Sequence, residues 1–194
     1  MKADLHHYLR VARESVLWKL DGLSEYDIRR PMTPTGTNLL GLVKHLTGAE
    51  GAYFAYVFGQ PFDGPMGPTG PDEDKWATAE ESREHIVKRY QQACAHSDKT
   101  IEEVGLNAVS RVQWWPAEDN QATLHRILVH MIAETNRHAG HADVARELID
   151  GAIGHHPDDH DMRPGDQDKA WWADHRAQVE LAAREAGGLP LEAE

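Results

Sequence analysis

Four stretches of this chain carry apolar residues every three or four positions, the spacing of one buried helix face. No stretch alternates convincingly in the period of two that a strand needs. The first runs from about Ala3 to Leu20 through Leu5, Leu9, Ala12, Val16 and Leu17. The second, about Asn38 to Phe58, holds Leu39, Leu42, Val43, Leu46, Tyr53, Phe54 and Val57 together with His45, and Gly59 ends it. A third starts at the capping-box signature Thr78-Ala79-Glu80-Glu81 and reaches about Val104. The longest begins at Asn120 or Thr123, continues to Asp150 and stops at Gly151. A last amphipathic stretch, about Gln167 to Ala186, is expected to bring Trp171, Trp172, His175, Val179 and Leu181 back over the others. The pattern predicts an all-α fold, a four-helix bundle with an additional C-terminal helix.

The connections are equally legible. Pro31 to Gly36 contains two prolines and a glycine, which forbid regular helix. Gln60 to Asp74 carries Pro61, Pro65, Pro68 and Pro71 and reads as a long surface loop, of the kind that covers sites, with Pro61 to Pro71 a candidate lid. Ser24 to Asp27 is a polar stretch, Trp114-Trp115-Pro116 lies in a connection, and Ile153 to Asp168 reads as a loop. There is no internal repeat, and 194 residues suit a single domain with a core over 3–151 and a C-terminal loop and helix over 152–194.

Composition narrows the functions. No apolar run approaches the ~18 residues of a membrane span, and the charged, amphipathic N-terminus lacks the apolar core of a signal peptide. A cytoplasmic protein without membrane contact is expected. A net charge of -12, from 32 acidic and 20 basic residues without a basic run, argues against nucleic acid as a partner. Cys94 is the single cysteine, so there is neither a disulfide framework nor a cysteine-rich zinc site. Its setting is that of a small buried helix residue, and thiol chemistry here would need an imported thiol.

Thirteen histidines are the unusual feature. On the longest helix His130, Glu134, His138 and His141 fall within an arc of about 80° that also holds Ile127 and Ala145, while Arg126, Arg137 and Glu147 lie elsewhere. Glu134 and His138, one turn apart, bring their heads to one point. A third ligand would have to come from another helix, and His45 is the best placed, beside Gly41, Gly48, Ala49 and Ala52, which leave space for an ion and substrate. Two histidines and a carboxylate leave coordination positions open, as catalytic sites do. From spacing alone, separately hydrogen-bonded histidines remain the slightly favoured alternative. The group His155 to Asp161 has ligand residue types but lies in a polar loop, and no His-Glu-x-x-His run supports a zinc protease.

His45-Leu46 in the second helix, within Gly41 to Leu46, followed by Glu134-Thr135-Asn136-Arg137-His138-Ala139-Gly140-His141-Ala142-Asp143 and the ending Arg146 to Gly151, resembles the DinB-like superfamily of metalloenzymes. The glutamate in place of a more common first histidine resembles its branch of mycothiol-dependent maleylpyruvate isomerases and mycothiol transferases, over about Ala3 to Gly151. The resemblance implies a DinB-like four-helix bundle and a divalent metal, most often zinc with nickel or iron as alternatives, on His45, Glu134 and His138. His141 adjoins that site as the catalytic or substrate-contact candidate. It further implies that a low-molecular-weight thiol, mycothiol, is held as a metal-bound thiolate for attack on a small electrophile. The short remainder after Gly151 departs from the isomerase, which carries a further domain, and favours general thiol transfer. Arg137 and Arg146 are candidate anion contacts or solvated charges, and the four tryptophans Trp114, Trp115, Trp171 and Trp172 candidate pocket walls or packing residues. Rival readings are a non-haem iron enzyme of thiol oxidation and a non-catalytic metal-binding bundle, which could be a homodimer.

Overall fold

The computed structural model describes residues 1–64, 73–157 and 169–190, and the chain falls into two compact units, Met1–Pro157 and Asp158–Glu194. The expectations for Pro65 to Asp72 and for Asp158 to Asp168, including the start of the last helix at Gln167, lie outside the described residues. In chain order the first unit holds α1 (Lys2–Trp18), α2 (Glu25–Arg29), α3 (Leu39–Glu50) with a π-helical continuation (Gly51–Tyr56), α4 (Arg83–Glu103), β1 (Val109–Arg111), β2 (Gln121–Thr123) and α5 (Leu124–Asp150). The second unit holds α6 (Lys169–Gly187), where Trp171 stacks on His175 at 5.1 Å and meets Trp172 edge-on. No described helix is long and apolar enough to cross a membrane.

Local chemistry sets the helix starts. Ser24, Asn38, Ser82 and Thr123 each accept a hydrogen bond from the amide three residues on, satisfying a donor that the first turn leaves free. Gly151, at φ +79°, closes α5 with its amide donating to Glu147. The expected third helix starts later than Thr78. Glu81 does reach back to the Thr78 amide at 2.9 Å, but Arg29 takes the Thr78 and Glu81 carbonyls that a helix would use, so this turn stands alone. Two short elements depart from the sequence reading. Ser24 caps a one-turn helix in the stretch read only as polar. Residues 109–123 form an antiparallel hairpin with Val109 opposite Thr123, Ser110 opposite Ala122 and Arg111 opposite Gln121. Strands of three residues are too short for periodicity to reveal.

The four long helices pack in the cyclic order α1, α5, α3, α4. Their core has two apolar halves, one around Val16, Leu40, Leu46, Tyr90 and Ala142, the other around Leu9, Phe54, Ile101, Leu128 and Met131. Between them every helix contributes a buried polar residue: Arg13 from α1, Glu50 from α3, Ser97 from α4 and Thr135 from α5. The order in which each helix meets the two halves fixes its direction. Helices α1 and α5 run one way, and α3 and α4 both run the other. Two consecutive parallel helices need a connection as long as the bundle, which is why the segment between Gly59 and Ser82 is long. Its described ends are tied down: Pro61 and Asp63 offer carbonyls to His96 and Arg89 of α4, and Lys75 and Trp76 offer theirs to Asn38 and Lys44 of α3.

Arg146 is buried, which excludes the solvated or anion-binding role considered from the sequence. It donates to the Lys19 and Asp21 carbonyls at the end of α1, pairs with Asp150, and lies over the Trp18 ring at 5.5 Å. Arg146→Met is expected to destabilise the bundle by about 2 kcal/mol, because two carbonyls lose their donor. Urea unfolding should show this as a lower midpoint at unchanged slope.

Candidate metal centre

The bundle brings together the three residues singled out from the sequence. On α5, Glu134 and His138 face α3, and His138 Nε2 lies 3.0 Å from Glu134 Oε1. From α3, His45 Nε2 approaches the same oxygen at 3.4 Å, and the two imidazoles meet edge-on with centroids 4.9 Å apart. One ligand atom from each of the three lies within 4.8 Å of the others, the only such group of three among the described residues. All three side chains are half-buried, at 24%, 29% and 16% exposure for His45, Glu134 and His138. His155 and His156 of the second histidine group are exposed, and its residues from Asp158 on lie outside the described residues.

Protonation favours ligation. Burial alone would raise the Glu134 carboxyl, but the charges and hydrogen bonds of His138 and His45 outweigh it and hold the group below its ordinary value. Burial lowers His138 below the usual imidazole range despite the opposing pull of Glu134, so the ring is neutral at pH 7. An ionised carboxylate and a neutral imidazole are the forms a cation binds.

Asp74, which the sequence did not reveal, holds His45 from behind. Its Oδ2 lies 2.5 Å from His45 Nδ1, which leaves Nε2 turned toward Glu134. Such an outer carboxylate fixes the ring and its tautomer. Gly41 makes this contact possible. A Cβ there would stand 1.9 Å from the Lys75 carbonyl oxygen, so the missing side chain admits the returning crossover against α3 and does not open room for substrate. An acidic residue closing a proline-rich loop carries no periodic signal; only the crossover's path puts it beside His45.

The donor set fits a divalent ion. Two imidazole nitrogens and a carboxylate oxygen converge, the outer nitrogen of His45 is already engaged, and buried His138 Nδ1 has no hydrogen-bond partner among the described residues. His141 is exposed and stands edge-on to His138 at 5.4 Å, outside the group of three. Arg137 is exposed, in keeping with a solvated charge. One turn before Glu134, His130 packs against Tyr53 at 4.6 Å and Trp115 at 5.4 Å, and burial lowers its pKa. Trp115 thus packs on His130, one turn from Glu134, and Trp114 on Tyr53, whereas Trp171 and Trp172 belong to the second unit. Cys94 is half-buried, and burial together with the Glu50 charge pushes its thiol far up, so it supplies no nucleophile.

The sequence model of a family described as mycothiol-S-transferase matches residues 4–151. Among curated proteins none matches the chain. A solved structure described as a conserved protein of a locus from Enterococcus faecalis superposes with a TM-score of 0.61 at 16% identity, over 78% of this chain and 98% of that one, which is a likeness of fold.

Proposed function

Because the chain belongs to the mycothiol-S-transferase family, we propose that it is a cytoplasmic, metal-dependent thiol S-transferase, with mycothiol as cosubstrate and a small electrophile as acceptor. The observation that carries this reading is the convergence of His45, Glu134 and His138 on one point of the bundle. These three would hold the ion, most readily zinc. When bound, it would supply the charge that keeps a thiol ionised at neutral pH and would retain a coordination position for it. His45 is oriented by Asp74, Glu134 contributes the negative charge, and neutral His138 completes the set without first losing a proton. His141, exposed beside His138, would contact the substrate.

The test is conjugation of monobromobimane by the zinc-loaded protein with mycothiol, glutathione or cysteine. A rate above the spontaneous one with mycothiol, abolished by chelation and restored by zinc, is expected. Rates equal to the protein-free reaction with every thiol would sink the reading.

Asp74→Ala is expected to weaken zinc binding about 10–100-fold without removing a ligand, measurable by competition with a chromophoric chelator. Gly41→Ala should do the same, because its Cβ forces the Lys75 backbone, and Asp74 with it, away from α3.

A further inference from the structure

Tyr53 lies in the π-helical segment that continues α3, eight residues beyond His45, and wide turns of this kind recur at functional sites. Its ring packs on His130, one turn from Glu134, so it stands about 6 Å along the α5 axis from the candidate centre. The hairpin between β1 and β2 brings two indoles to the same hydroxyl. Trp114 Nε1 and Trp115 Nε1 each donate to the Tyr53 oxygen at 3.2 Å. A phenolic oxygen accepts two hydrogen bonds and donates one. Both acceptor positions are filled, so what Tyr53 has left to offer is its own proton, and no described side chain or carbonyl takes it. Beside it, Trp114 and Tyr56 leave 47% and 43% of their surface open, with ring centroids 6.1 Å apart. The result is an aromatic surface on which the Tyr53 O–H, its oxygen held by two indoles, is a fixed donor at the edge of the centre.

We propose that Tyr53 is the hydrogen-bond and proton donor to the electrophile, and that the electrophile is a carbonyl-conjugated alkene whose flat carbon skeleton lies on the Trp114 and Tyr56 faces. This rests on the thiol-transfer reading. As the thiolate sulfur bonds to the alkene carbon remote from the carbonyl, the alkene electron pair moves toward the carbonyl oxygen, which takes the Tyr53 proton. The two indole N–H groups remain on the phenolate oxygen and stabilise it. The enol returns to the ketone by moving a proton from oxygen to carbon, Tyr53 regains its proton from water, and the proton lost when the thiol ionised balances it. The net change is addition of sulfur and hydrogen across the double bond. An alkyl halide, which releases a stable halide, would make no use of such a donor.

Two measurements test the assignment on the zinc-loaded full chain. Benzylacetone, a saturated ketone that cannot react, should quench tryptophan fluorescence, and Tyr53→Phe should weaken its binding about fivefold. With mycothiol, Tyr53→Phe should lower kcat on benzalacetone about 100-fold, and by at least about tenfold more than on monobromobimane. Equal losses on the two electrophiles, no loss on either, or ketone binding that is absent or indifferent to Tyr53 would each overturn the proposal. If the parent conjugates neither electrophile, thiol transfer fails as a reading, and the ketone titration still decides whether Tyr53 is a donor.

Discussion

Replacing His138 with alanine is expected to take the protein from about one divalent ion per chain to none that survives dialysis. Removing that ring leaves His45 and Glu134, one ligand from each of two helices, too few to close a site. His141→Ala is the matched control. Its ring touches His138 only edge-on and lies outside the converging group, so the ion should remain. Elemental mass spectrometry of both variants after metal loading reads the difference, and the element found in the parent separates zinc thiol chemistry from an iron enzyme. A parent that retains no ion, or a His138→Ala protein that retains it fully, would return the histidine stripe to ordinary packing. The pH dependence has a definite sign. His138 is held below the ordinary imidazole value of about 6.5 and Glu134 below that of a carboxylate, so both stand in their ligand forms at neutral pH, and binding weakens as pH falls and they take up protons.

Arg13→Met should be the most damaging single change to the fold, costing about 3–5 kcal/mol. Arg13 and Glu50 are 5% and 1% exposed and meet through two parallel bonds of 2.7 Å, while Arg13 also holds Asp98 at 2.6 Å and Asp98 meets His6 at 2.7 Å. Burial opposes the charge on Arg13, but Glu50 more than compensates and raises the guanidinium above its ordinary value. Without Arg13, Glu50 is left charged and unpaired between two apolar halves. Thermal unfolding should show a midpoint lower by about 10 °C. Arg13→Met combined with Glu50→Leu should recover most of the loss, because the penalty lies in the orphaned charge. An unchanged midpoint in the single variant, or no recovery in the double, would contradict this account. Acid should act in the same direction. Burial would raise Asp98, yet Arg13 and His6 outweigh it and hold the carboxyl below its ordinary value of about 3.8. Its contribution is therefore present above that value and lost as pH falls through the lowered one.

The long helices were legible because their apolar spacing, caps and stop signals are local. Thr123 and Gly151 bound α5 where the sequence placed its ends. Glu134 and His138 were legible for the same reason, since a separation of four residues on one helix makes their meeting a matter of pitch. His45 was singled out as the third member by the small residues along its helix face, the resemblance to mycothiol transferases pointed to the same residue, and the fold brings it to the other two. Features that depend on two distant segments stayed hidden. Asp74 owes its contact to a glycine on another element, Arg146 looks like a surface charge until α1 ends against it, and Tyr53 reads as one more core aromatic of the second helix.

Pitch, capping and composition, all properties of neighbouring residues, thus determined by themselves that this chain forms four long helices and that α5 carries a ligand pair. Helix direction, the long crossover between two parallel helices, the buried ion pair at mid-height and the partner behind His45 were decided only in the tertiary structure. The physical reason is range. A helix satisfies its own backbone within a few residues, whereas a buried charge or an outer nitrogen must find its partner wherever the packing of another segment delivers it.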